Sequence, residues 1–216
     1  MRRGSAAAAA IALTLSAVAC GPKPPDYQSV WSTTPTTTTT TTRVEKPVPL
    51  SQYLQNIGVT GQQVAPGNLP DLTVSIPTPP GWSVASNPHI SPQTVMISKG
   101  NKYPTARLVV FKLNGDFDPA QVIQHGNDDA QLFENFRQLD ASTTPYNGFP
   151  SSMIQGSYDL DGTRLHSFNR IVIATGSPPA KQRYLVQLTI TDLANEAVAQ
   201  STDIEAIMRG FVVAAK

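Results

Sequence analysis

Cysteine is almost absent from this 216-residue chain; Cys20 is the only one. No internal disulfide can form, and no thiol enzyme can be built on any other position. Charge is sparse as well, at 14% Asp, Glu, Lys and Arg, and neither the basic nor the acidic residues form a block. Binding to nucleic acid depends on concentrated positive charge, so that class of function is set aside. The three histidines, His89, His125 and His166, lie in separate segments with no second ligand at helical or strand spacing, so no metal site is expected. A Gly-x-Ser-x-Gly elbow and a phosphate-cradling glycine loop are both missing, and no cofactor is expected. These absences point to a protein that is not an enzyme.

Long apolar runs are missing too, with one exception. Residues 6–19 carry no charge and follow Arg2 and Arg3. A permanent transmembrane helix wants about 20 apolar residues, so the run fits the apolar part of a cleavable signal peptide over residues 1–19. It ends in Ala17-Val18-Ala19-Cys20-Gly21, which resembles the lipobox of bacterial lipoproteins, with Ala17 standing where leucine is usual. That resemblance implies that Cys20 receives a diacylglyceryl group and becomes the mature N-terminus, which accounts for a lone cysteine in an exported chain. Two or more acyl chains hold a protein on a bilayer, where one does so only marginally. The expected location is the extracytoplasmic face of the cell membrane.

Residues 20–46 read as a tether. Pro22, Pro24, Pro25 and Pro35 lead into Thr36, Thr37, Thr38, Thr39, Thr40, Thr41 and Thr42. Such a stretch has too little apolar surface to offset the entropy of ordering. Those seven threonines are candidates for O-glycosylation, and a bare polar spacer is the equal alternative.

Residues 47–216 have the aliphatic content and length of one domain. Without Arg2 and Arg3 the chain has 14 basic against 15 acidic residues. Leu72, Val74 and Ile76 alternate with polar neighbours as a half-buried strand does. Residues 95–98 and 106–113 predict two more strands. Asp118 as N-cap and Pro119 at the first helical position predict a helix over 118–139, burying Ile123, Ala130, Phe133 and Phe136, with a kink or close contact at Gly126. Strands over 151–160 and 163–174 flank Asp161-Gly162, a strong hairpin signal, and a third strand is predicted over 182–191. In that strand Tyr184, Val186, Leu188 and Ile190 share one face, and Arg183, Gln187 and Thr189 the other. A last helix over 193–213 would bury Ala197, Val198, Ile204, Ile207, Met208 and Phe211. A locally paired antiparallel meander covered by two long helices is an α+β fold.

Several segments carry a family resemblance. Residues 71–82, ending in Pro80-Gly81-Trp82, resemble the opening strand of Mog1/PsbP-like domains. Together with Cys20-Gly21-Pro22-Lys23, residues 148–158 and residues 181–191, they resemble the mycobacterial LpqN/LpqT lipoproteins. The resemblance implies a Mog1/PsbP-like sandwich on a lipid anchor in the mycobacterial envelope, with envelope lipids or glycolipids as ligands and no catalytic motif to carry over.

A ligand surface needs concave apolar walls and a few polar groups. Trp82, Phe149, Met153 and Tyr158 flank the proline-rich bends, and Arg164, Arg170 and Arg183 sit on adjacent strands of the meander, as a polar strip or as a solvated face. Ordinary packing of the four apolar residues is the competing reading. Two functions stay open at this level. One is a binding protein for envelope lipids or glycolipids, working near export machinery. The other is a surface-displayed interaction module or antigen with a dry core and a flat apolar patch.

Overall fold

A computed structural model describes residues 47–216. The signal peptide at 1–19, Cys20 and the threonines 36–42 lie outside the described residues.

The chain enters through helix α1 (Leu50–Asn56), strand β1 (Thr60–Val64) and a short 3-10 turn, then strand β2 (Leu72–Ser75). Strands β3 (Ser83–Val84), β4 (Val95–Ser98) and β5 (Thr105–Asn114) follow. Two short helices, α2 (Pro119–Val122) and α3 (Asp128–Gln131), precede strands β6 (Arg137–Ser142), β7 (Ser151–Leu160), β8 (Thr163–Thr175) and β9 (Arg183–Leu193). Helix α4 (Ala197–Arg209) and strand β10 (Val212–Ala215) complete the order. The main sheet has the order β3-β4-β5-β9-β8-β7-β6, with β1 on β5, while β10 and β2 form a separate pair. Every pairing is antiparallel.

The meander is observed as expected. Asp161 and Gly162 both have positive φ, at 48° and 72°, as the two-residue turn that matches strand twist requires. In β9, Tyr184, Val186, Leu188 and Ile190 are buried on the first face of the sheet. They meet Leu108 and Val110 of β5 and Phe168 and Val172 of β8 in one core. Ile204 and Ile207 of α4, Phe211, and Leu72, Val74 and Val213 of the β2–β10 pair cover that core. Trp82 seals its margin, where its indole N–H donates to Asp203 Oδ2 at 3.1 Å while Lys99 donates to the same oxygen at 2.8 Å.

Two helix expectations are corrected. The helix expected over 118–139 exists only as the pieces α2 and α3 with a 3-10 turn between them, and Arg137–Ser142 is a strand. Its start is as expected, with Asp118 capping Ala120 N at 2.9 Å. Gly126 then comes so close to β7 that a Cβ would lie 2.1 Å from Ser152 Oγ, and Asn127 donates to the Met153 carbonyl. Asn135 turns left-handed at φ 51°, after which β6 zips onto the free edge of β7. Ile123 and Ala130 are buried, but Phe133 is 45% exposed. The final helix stops at Arg209 rather than 213, because Gly210 abuts Pro77 and the β-branched Val212 and Val213 pair with β2. Val198 faces solvent instead of the core.

The fold makes a prediction at Asp203. Replacing Asp203 with alanine strands the buried indole N–H of Trp82 and is expected to cost about 1–3 kcal/mol in urea unfolding. Hydrogen bonds from Lys99 and Trp82 hold the Asp203 carboxyl below its usual value. The carboxylate therefore contributes stability above its unfolded pKa, and that contribution disappears as pH falls below about 4 through the lowered folded value. The gap between wild type and D203A should accordingly narrow in acid.

Candidate ligand cavity on the second face of the sheet

The second face is only half covered. Leu113 of β5, Ile171 and Ile173 of β8, and Leu185 of β9 pack there under Leu50 and Leu54 of α1 and Val122 and Ile123 of the α2 segment. Farther along the same strands the face changes character. Register places Phe111 beside Leu185 and Leu185 beside Ile173, then Gln187 beside Ile171, then Arg107, Thr189 and Asn169 in one row across three strands. Asn169 Oδ1 accepts from Gln187 Nε2 and from Thr189 Oγ1, each at 2.9 Å. The floor thus grades from aliphatic to amide and hydroxyl within a few residues.

Above this floor lies a cavity of about 790 Å³. One wall is α1, through Leu50, Ser51, Leu54 and Gln55, with Thr60 and Gly61 of β1 continuing it. The facing wall is Asp129 and Ala130 of α3 together with Phe133 and Tyr158, whose rings stack with centroids 4.3 Å apart. The two walls are tied together where Leu50 N donates to Asp129 Oδ2 at 3.0 Å. Beside that contact the Tyr53 ring stacks on His125 at 3.8 Å, and His125 Nδ1 lies 3.0 Å from Asp128 Oδ2.

Chemically, the cavity offers amides, hydroxyls and a phenol, with one guanidinium at Arg107 and one carboxylate at Asp129 whose Oδ2 accepts from Leu50 N. Burial pushes the Tyr158 phenol up, as does Tyr103, with opposing contributions from a hydrogen bond to Thr191 and from Arg107. Tyr158 is therefore a neutral donor throughout the physiological range. No histidine or cysteine lines the walls. Such a site can hold a molecule with an apolar part and a polar, uncharged or singly anionic part, and it presents no nucleophile–base pair.

The residues singled out in the sequence are dispersed. Tyr158 lines the cavity. Trp82 is buried at the margin of the first-face core, and Phe149 and Met153 pack against that core. Arg170 also lies on the first face, over the rings of Tyr146 and Phe168, with a bond to Ser151 Oγ; burial lowers its pKa, against an opposing contribution from Tyr146. Arg164 is bound to Asp159, Ser157 and the Asn135 carbonyl near the hairpin. Arg183 pairs in register with Thr175 and lies over Phe117. The expected strip of three arginines is corrected on this point, because strand alternation puts Arg183 on the opposite face from Arg164 and Arg170. Sequence reasoning missed α1 as a wall, and it missed the polar floor, although Gln187 and Thr189 were visible as a separate face.

The fold also assembles a histidine–carboxylate pair. His166 Nδ1 lies 2.7 Å from Asp192 Oδ1, both buried. Its other ring nitrogen is taken by Gln155 Nε2 at 2.8 Å, so no free imidazole nitrogen is aimed at a hydroxyl. Among the described residues no group of three His, Cys, Asp or Glu side chains is placed to hold a metal ion.

Asn169→Ala removes the acceptor shared by Gln187 and Thr189. It is expected to lower stability by about 0.5–1.5 kcal/mol in chemical denaturation; an unchanged midpoint would mean that the floor is fully solvated.

Comparison with known proteins places the chain. A family model described as "Probable lipoprotein LpqN" matches residues 46–214. LpqT of Mycobacterium leprae is 74% identical over 210 residues, covering 97% of this chain and 95% of its own length. LpqT of Mycobacterium tuberculosis H37Rv is 65% identical over 215 residues, covering 99% and 95%. A crystal structure of LpqN, described as involved in cell envelope biogenesis of Mycobacterium tuberculosis, covers 77% of this chain and 97% of its own with TM-score 0.66. Its 20% identity makes that likeness one of fold alone. Cyanobacterial PsbP superposes at a TM-score of 0.42, which carries no argument. The chain belongs to the LpqN/LpqT family of lipoproteins.

Proposed function

We propose that this protein is a non-enzymatic envelope lipoprotein that holds an amphipathic lipid or glycolipid in the second-face cavity. In this reading residues 1–19 are removed, Cys20 carries the acyl anchor on the extracytoplasmic face, residues 20–46 are the stalk and residues 47–216 are the binding domain. The observation that carries the proposal is the graded cavity. Its volume of about 790 Å³ falls in the range of small-molecule sites, about 300–1,000 Å³. Its Ile171–Leu185–Phe111 end suits hydrocarbon, and its Arg107–Thr189–Asn169 end suits a head group rich in hydroxyls. LpqN, which shares the fold, is described as involved in cell envelope biogenesis, and lipid handling gives the present chain a place in related work. The interaction-module alternative calls for a filled core and a flat patch, and the half-covered second face favours it less.

Native mass spectrometry of the mature chain from a mycobacterial host, with lipid extraction of the same sample, tests this reading. A stoichiometric adduct that extracts as lipid or glycolipid is expected, and a clean apo mass after incubation with envelope lipids contradicts it. Ser51 is exposed yet lines the cavity, so Ser51→Trp should obstruct the mouth without disturbing the core. The expected result is at least tenfold weaker ligand binding, about 1.4 kcal/mol, at unchanged melting temperature.

A further inference from the structure

We infer that one lip of this cavity docks on the outer leaflet of the bilayer that carries the anchor, so that the mouth opens onto lipid rather than water. Three large apolar side chains, Leu132, Phe133 and Leu160, stand 43–45% exposed. They are not scattered. Phe133 stacks on Tyr158 in the cavity wall, and Leu160 follows Tyr158 by two residues on the same face of β7. Asp159 N donates to the Glu134 carbonyl at 2.9 Å, which holds the segment after α3 against that strand. The result is an apolar lip around the Phe133–Tyr158 stack. The charged residues next to it in the chain, Glu134 and Asp161, are both acidic, and Asp159 is matched internally by Asn135 at 2.7 Å and by Arg164 at 3.1 Å. Docking of this lip is therefore driven by apolar contact and not by attraction to anionic head groups.

The choice of a bilayer as occupant rests on where the tether arrives. The stalk from Cys20 runs directly into α1, and the first residues of α1, Leu50 and Ser51, line the same cavity. At no more than about 3.6 Å per residue, residues 20–46 allow the domain to turn any face toward the membrane, so the lip decides the orientation. Tethering raises the effective concentration of lip and leaflet, so that a contact too weak to hold a free domain suffices here. Of the other exposed apolar residues, which include Leu139 on the β6 edge, Val84 on β3 and Val198 on α4 lie well away from the lip, on the far edge strand and on the helix that covers the first face. These two serve as internal controls.

This inference rests on the proposed anchoring at Cys20 and is independent of which ligand the cavity holds. The test uses the full mature lipidated protein in phosphatidylcholine vesicles. Acylation blocks the only native thiol, so Leu132→Cys, Leu160→Cys, Val84→Cys and Val198→Cys can each be labelled with an environment-sensitive fluorophore. The expected result is blue-shifted emission at 132 and 160, quenched at least twofold more by spin-labelled lipid than at 84 and 198, and unchanged by raised salt. Water-like emission at all four positions overturns the docking. So does membrane contact at 84 or 198, or a blue shift at 132 and 160 that persists after the anchor is cleaved and the vesicles are removed, which would indicate protein contact. A chain that carries a lipid adduct with a water-exposed lip loses this inference and keeps the proposed function; a docked lip around an empty cavity does the reverse.

Discussion

The register of β8 against β9 is the constraint on which the domain depends. Pairing Asn169 with Thr189 and Ile171 with Gln187 fixes which side chains share a face, and a slip of one residue would exchange the faces completely. In the observed register the first face receives Phe168, Val172, Val186, Leu188 and Ile190 and is closed by α4 and the β2–β10 pair. The second face receives Ile171, Ile173 and Leu185 at one end, and Asn169, Gln187 and Thr189 at the other. Only the aliphatic end can be capped by apolar residues of α1 and α2. The polar end satisfies itself laterally through Asn169, and the space above it stays open. The cavity follows from the strand pattern and not from a specialised loop.

Much of this architecture could be read from residues in sequence. Alternation located β2, β5 and β9, and Asp161-Gly162 located the β7–β8 turn with its boundaries. The failures have particular causes. Phe133 and Phe136 are spaced as on one face of a helix, but the chain after Asn135 gains more by pairing with the open edge of β7, where Gly156 leaves room for the Phe136 ring. The bulge at Leu139 between Gln138 and Asp140 and the exposure of β6 mark it as an edge strand, a kind whose pattern is weak because neither face is fully buried. The end of α4 was overrun because Phe211 and Val213 continue an apolar spacing that suits helix and strand alike.

The cavity was less legible than the fold. Gln187 and Thr189 were assigned to their own face, but a polar face on a strand reads the same whether it meets water or a cavity. The difference is made by Leu50–Asn56, a short helix far away in sequence, held by the Leu50–Asp129 hydrogen bond and the Tyr53–His125 stack. Aromatic residues near proline bends attracted notice because of their chemistry, yet Trp82 and Phe149 serve the first-face core. Tyr158 alone of that set reaches the cavity, because it is the even-numbered strand position that faces α3.

Photolabelling reads out whether the second-face cavity holds an acyl chain. The mature protein would be loaded with a long-chain fatty acyl probe carrying a terminal diazirine, irradiated, digested and mapped by mass spectrometry. Adducts are expected on the aliphatic end of the second face, at Leu54, Phe111, Ile171 or Leu185, with loss of labelling in Ser51→Trp. Labelling confined to the first-face margin around Trp82 and Phe149, or spread evenly over exposed residues, would contradict this expectation.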